Sequence, residues 1–102
     1  MIRHIVLWKF LEFTKEGNKK QNLQRARQML NEMATEIEGI IDLKIGINMG
    51  TGINRSDLAL SILFKDQAAL DIYQKHPAHQ KVKDFLGEVR YERRGIDYEV
   101  TE

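Results

Sequence analysis

The residues best able to do chemistry lie in one short run, Tyr73-Gln74-Lys75-His76-Pro77-Ala78-His79, together with His4 near the start of the chain. An imidazole titrating near pH ~6.5 can take a proton at neutral pH. A phenol can donate a hydrogen bond to a developing oxyanion. A pair of this kind supports proton abstraction beside a carbonyl, provided apolar walls hold the substrate. Proline disfavours helix at the residue before it and starts a new helix readily. A break at His76-Pro77 can therefore aim Tyr73 and His79 at one cavity between helix and sheet. Each residue also has a structural reading. His76 reads as a helix-end residue satisfying orphan carbonyls. His79 reads equally as a hydrogen-bonded packing residue, Tyr73 and Trp8 as core, and His4 as a satisfied interior histidine. His76 and His79 have a metal-like separation, but the proline between them and the missing acidic third ligand argue against a metal.

These side chains need elements to position them. Ile2 to Phe10 reads as a strand, with Ile2, His4, Val6, Trp8 and Phe10 on one face and Arg3, Ile5, Leu7 and Lys9 on the other. Both faces are apolar at the centre, so the sheet is expected to be covered on both sides. The polar stretch from Glu12 to Lys20 reads as a loop. The spacing of Leu23, Ala26, Leu30, Met33 and Ile37 predicts a helix closed by Gly39. Alternating Ile41, Leu43, Ile45 and Ile47 predict a second strand, and Asp57 to Phe64 a third, joined by a Gly-rich loop. Asp66 is placed to cap a helix presenting Ala69, Leu70 and Tyr73 inward. A further helical piece runs from Pro77 to Leu86, and a final strand from Tyr91 to Val100 is interrupted at Gly95.

The order β, α, β, β, α, β is the split βαβ arrangement. It predicts an α+β, ferredoxin-like fold: a four-stranded antiparallel sheet with both helices on one face, in a single domain over residues 1–102. Nothing in the chain is large enough to cover the other face. A second copy, sheet against sheet, is the economical partner.

Composition narrows the function classes. A net charge of +1 provides no basic field for a phosphate backbone, so nucleic acid is not an expected partner. The absence of cysteine excludes disulfides, thiolate nucleophiles and Cys-based metal sites. No apolar run approaches the ~20 residues needed to cross a bilayer, and the strand-like start is unlike a signal core. A cytoplasmic setting is expected. Gly50-Thr51-Gly52 lacks the Lys-Ser/Thr ending of a phosphate loop and joins strand to strand. Lys15, Lys19, Lys20, Arg25 and Arg27 read as a solvated face, and Arg93-Arg94 as edge protection or a subunit contact.

Ile2-Arg3-His4-Ile5-Val6-Leu7-Trp8-Lys9-Phe10, Asp57-Leu58-Ala59-Leu60, the Tyr-x-x-His-Pro-x-His run and Ile96-Asp97-Tyr98 together resemble the stress-responsive dimeric α+β barrel (Dabb) family. The resemblance spans nearly the whole chain. It implies a homodimer whose two sheets form a barrel, and no single activity. A plant polyketide cyclase of the family uses a histidine and a tyrosine in an intramolecular aldol condensation. The matching positions are His79, as base, and Tyr73, as hydrogen-bond donor, while His4 matches a pocket-lining histidine. Leu58 stands where that enzyme has a further pocket histidine, and Leu23, Ala26 and Arg27 supply no aromatic rings on the first helix. The expected role is therefore a small dimeric barrel, stress-related or otherwise, that binds an apolar or carbonyl-bearing metabolite, with His4, His76 and Trp8 as ligand-binding residues. The alternatives are a cofactor-free cyclase or lyase acting through His79 and Tyr73, and a cofactor-free monooxygenase. No cofactor and no metal are expected.

Overall fold

The computed structural model describes residues 1–101. Strand β1 (Ile2–Phe10) leads through two short strands, β2 (Phe13–Thr14) and β3 (Gly17–Asn18), into helix α1 (Lys19–Glu36). Strands β4 (Ile40–Ile47) and β5 (Leu58–Phe64) follow. Helices α2 (Gln67–Lys75) and α3 (Pro77–Val89) precede strand β6 (Arg90–Glu99). The main sheet has the order β4-β5-β1-β6, and every neighbouring pair is antiparallel. This is the ferredoxin-like arrangement, with one addition: β2 and β3 pair as a small hairpin where a loop is expected.

That hairpin has a physical cause. Asn18 caps α1 by accepting from the Gln21 backbone N–H, and the Gln21 side chain accepts from the Asn18 N–H, a reciprocal capping box. Asn22, almost fully buried, donates to Thr14 Oγ1 and to the Gly17 carbonyl, tying the hairpin to the helix. Lys19 bridges Glu12 and Asp57, and Asp57 also accepts from the Phe10 N–H at 2.8 Å.

One face of the sheet and the three helices share the core. Val6, Trp8, Phe10, Leu58, Leu60, Ile62 and Phe64 meet Leu23, Ala26, Leu30 and Met33 of α1, Leu70 and Tyr73 of α2, and Val82 and Leu86 of α3. The expected inward stripe of α1 is therefore the observed one.

Three local expectations need correction. Gly95 does not interrupt β6; it pairs with Val6 within a continuous ladder, and the irregularity falls at Lys9/Phe10 of β1. In β4 a bulge between Ile40 and Asp42 turns Ile40 toward the core and leaves Ile41 exposed, because an extra residue shifts the side-chain alternation by one. Gly39 lies two residues beyond the α1 C-cap, Ile37, at φ 90°. A Cβ there would sit 2.7 Å from that of Ala69, so glycine is required by the close approach of α2 as well as by the turn.

The opposite sheet face has no cover among the described residues. Ile5 faces Ile96 and Arg3 faces Tyr98 across the β1–β6 ladder. Leu7, Ile96 and Tyr98 remain 39%, 57% and 43% exposed.

Candidate functional site

The α2–α3 junction positions the phenol and the imidazole. Asp66 caps α2, accepting from the Ala69 N–H at 2.9 Å, and the helix runs to Lys75 with Tyr73 on its buried face. His76 is at once the C-cap of α2 and the N-cap of α3, with extended backbone, as a residue before proline requires. Its Nδ1 accepts from the Ala78 N–H at 3.0 Å, and its carbonyl accepts from the N–H groups of His79 and Gln80. The side chain thus satisfies an orphan donor of α3 rather than the carbonyls of α2, contrary to the sequence expectation. The kink brings the Tyr73 and His79 rings to 4.3 Å between centroids, inclined by 37°.

His4 joins this pair from β1. Its ring meets Tyr73 edge-on at 5.6 Å and Phe64 at 6.2 Å. Its Nδ1 is bonded to Asp97 Oδ1 across the β1–β6 ladder. The order through space is Asp97, His4, Tyr73, His79. Asp97 is the orienting acid for His4; among the described residues His79 has no such acid, and its Nδ1 lies 3.3 Å from the Gln74 carbonyl oxygen. A carbonyl oxygen can only accept, so Nδ1 of His79 carries the proton and Nε2 is the basic nitrogen. A carboxylate likewise places a proton on Nδ1 of His4.

Burial, the largest influence, pushes the Tyr73 hydroxyl far above its ordinary pKa, and nearby Asp97 adds to this while Arg93 opposes it. Tyr73 therefore remains a protonated donor at any working pH. Burial also lowers His79; its bond to Gln74 opposes the shift, and the positive charges of Lys83 and Arg93 deepen it. His79 is thereby held as a neutral base near neutrality.

These groups border a cavity of about 410 Å³. Val6, Trp8 and Leu86 supply apolar wall; His4, Tyr73, Gln74, His79, Lys83, Arg90 and Arg93 supply polar groups. No buried side-chain nitrogen or oxygen is left without a partner among the described residues.

A family model, the stress responsive A/B barrel domain (Dabb), matches residues 2–100. The chain belongs to this family. No curated protein matches it. Among solved structures, a Dabb family protein from Mesorhizobium loti has 24% identity and a TM-score of 0.76, covering 99% of this chain and 97% of the other. A dimeric ferredoxin-like protein of unknown function from Thermobifida fusca has 17% identity and a TM-score of 0.85, covering 97% and 90%. A hydroxynitrile lyase from Passiflora edulis has 15% identity and a TM-score of 0.78, covering 99% and 94%. At these identities the likenesses establish the fold.

Within this Dabb domain, four of the five residues singled out from the sequence, His4, Trp8, Tyr73 and His79, border one cavity. His76 does not line it; it shapes the junction instead. Arg93 and Arg94 separate: Arg93 shares the inner sheet face with His4 and Trp8 and reaches the cavity, while Arg94 pairs with Leu7 on the outer face. Lys83, Arg90 and Gln74 were not singled out by sequence. The alternation of β6 on either side of Asp97 could have signalled Arg93, two pleats along the same face. No helix among the described residues is long and apolar enough to cross a membrane, and no cluster of three metal-ligating side chains occurs among them.

Proposed function

We propose that this Dabb domain works as a homodimer and binds a small carbonyl-bearing metabolite in the cavity between α2, α3 and the sheet. The observation that carries this reading is the Tyr73–His79 pair, ring against ring beside a cavity whose apolar wall is formed by Val6, Trp8 and Leu86. The Tyr73 hydroxyl is the donor for the ligand's carbonyl oxygen. His79 Nε2 and the Asp97-oriented His4 lie on either side of Tyr73. The dimeric solved structures of the same fold support the pairing of two copies, as do the exposed apolar groups on the outer face.

The second reading is a cofactor-free lyase or cyclase. His79 Nε2 removes a proton beside the carbonyl, and Tyr73 stabilises the resulting enolate oxygen. A specific observation favours it: the His79 ring lies 4.3 Å from the Tyr73 ring, where burial lowers the pKa of the imidazole and raises that of the phenol. The hydroxynitrile lyase among the structural neighbours supports lyase chemistry on this scaffold.

The test is a titration of the full chain followed by NMR of the histidine and tyrosine ring signals, using a panel of aromatic and β-keto compounds. One ligand class is expected to move His79 and Tyr73 together. Binding should be lost in His79→Ala and weakened in Tyr73→Phe, with the backbone spectrum retained. A His79→Ala chain that unfolds, or a panel that leaves both rings unmoved, would refute the binding role. Solvent deuterium exchange at the α-carbon of a bound ketone separates the two readings: exchange that His79→Ala abolishes marks the enzyme.

A further inference from the structure

The cavity is electrically one-sided. Lys83, Arg90 and Arg93 line it, and no acid does. Asp97 borders the adjoining hollow, where its Oδ1 is already bonded to His4. Among the described residues, the ion pairs engage His4, Lys9, Lys15, Lys19 and Arg94, and none engages Lys83, Arg90 or Arg93. Three cations thus gather at one opening without an ion-pair partner among the described residues, and Asp97, beside Arg93 in the adjoining hollow, is engaged by His4.

Arg93 is the best placed of the three. Its guanidinium lies over Gly95 on the inner side of β6; a Cβ at Gly95 would stand 3.3 Å from Nη1. The missing side chain at Gly95 leaves room for the guanidinium of Arg93, a solvent-exposed residue, to lie along the strand at the cavity's edge. Its charge is felt by both Tyr73 and His79. Arg93 lines the same cavity as Tyr73 and His79, on the side formed by β6.

We propose that the ligand is an organic acid, with a carbonyl directed at Tyr73 and a carboxylate held by Arg93, assisted by Lys83 and Arg90, while its apolar body rests on Val6, Trp8 and Leu86. This deepens the binding role assigned above and rests on it. A guanidinium matches a carboxylate through two parallel hydrogen bonds, which a neutral ester cannot reproduce. An inorganic anion would satisfy the cations but would leave the apolar wall and the phenol unused.

The test compares phenylpyruvate with its methyl ester and with inorganic phosphate, monitored at the His79 and Tyr73 ring signals of the full chain. The acid is expected to bind about tenfold more tightly than the ester, the scale of one charge-assisted hydrogen bond. Its affinity should fall with added salt. It should also raise the His79 titration midpoint, which the ester should not, because a bound anion offsets the neighbouring cations. Arg93→Gln should reduce the acid to the level of the ester. Equal binding of acid and ester overturns this proposal and leaves the carbonyl-binding cavity standing. Phosphate binding as tightly as the acid, or discrimination that survives Arg93→Gln, also overturns it. Failure of acid and ester alike to move either ring removes the cavity's binding role and this proposal with it.

Discussion

His79 is the residue at which chemistry and stability meet. Burial and the cations beside it hold its pKa below the ordinary value, so the folded state binds its proton less readily than the unfolded state does. The unfolded chain then binds more protons at mildly acid pH, and stability falls as pH falls. The contribution is complete above the unfolded value near ~6.5 and is lost as pH drops through the lowered folded value. Chemical denaturation at about pH 7.5 and pH 5 should show the natural chain losing more stability on acidification than His79→Gln. An equal loss in both would mean that His79 titrates in the folded protein as it does in the unfolded chain. Any His79-dependent deuterium exchange should decline across the same pH range, because the protonated ring has no lone pair to offer. Tyr73 adds no pH limb at the alkaline side, since burial keeps its hydroxyl protonated.

At the scale of elements, the α2–α3 junction decides whether Tyr73 and His79 meet. Pro77 lacks an N–H and starts α3, but the geometry also needs the His76 side chain on the Ala78 N–H. His76→Ala removes that cap and should cost about 1 kcal/mol of stability. His76→Asn, whose oxygen can accept in the same place, should recover most of it. Thermal denaturation measures the first effect. The His79 ring signal measures the second, because a loosened junction separates His79 from the Tyr73 ring. If Ala and Asn behave alike, the cap is not what holds the kink. The same histidine was a candidate ligand in the sequence because its type suits binding. Its role as a cap depends on a single side-chain-to-backbone contact that residue type does not specify.

At the scale of the whole molecule, the two faces of the sheet carry different tasks. The inner face closes the core and borders the cavity. The outer face exposes Leu7, Ile96 and Tyr98 around Ile5, an apolar stripe that water covers unless another chain does. Sedimentation at micromolar concentration should give a dimer, and Leu7→Asp with Ile96→Asp should give a folded monomer, since neither residue belongs to the core. A natural chain that sediments as a monomer would refute the pairing. If the cavity closes fully only when two sheets meet, the same double substitution will also weaken ligand binding; if binding is unaffected, one subunit suffices.

Much of this architecture was legible from side-chain pattern alone. The period-2 strands, the period-3.6 stripe of α1, the Asp66 cap and the proline break are local signals, and each corresponds to an observed element. They are legible because burial of one face requires a matching repeat. The grouping of His4 with Tyr73 and His79 followed from the inward face of β1. What the sequence did not disclose was register. The β4 bulge that exchanges Ile40 for Ile41, the unbroken ladder through Gly95 and the Asn22 tie to the β2–β3 hairpin all depend on which backbone groups meet across space. Register also separated Arg93 from Arg94 and set Asp97 against His4, residues 93 positions apart. The chain by itself determined which side chains could do chemistry and which faces had to be buried, because those depend on residue type and repeat. Only the tertiary structure decided the charge around the cavity, because that depends on strand pairing and on a helix junction that bring distant residues within a few ångströms of one another.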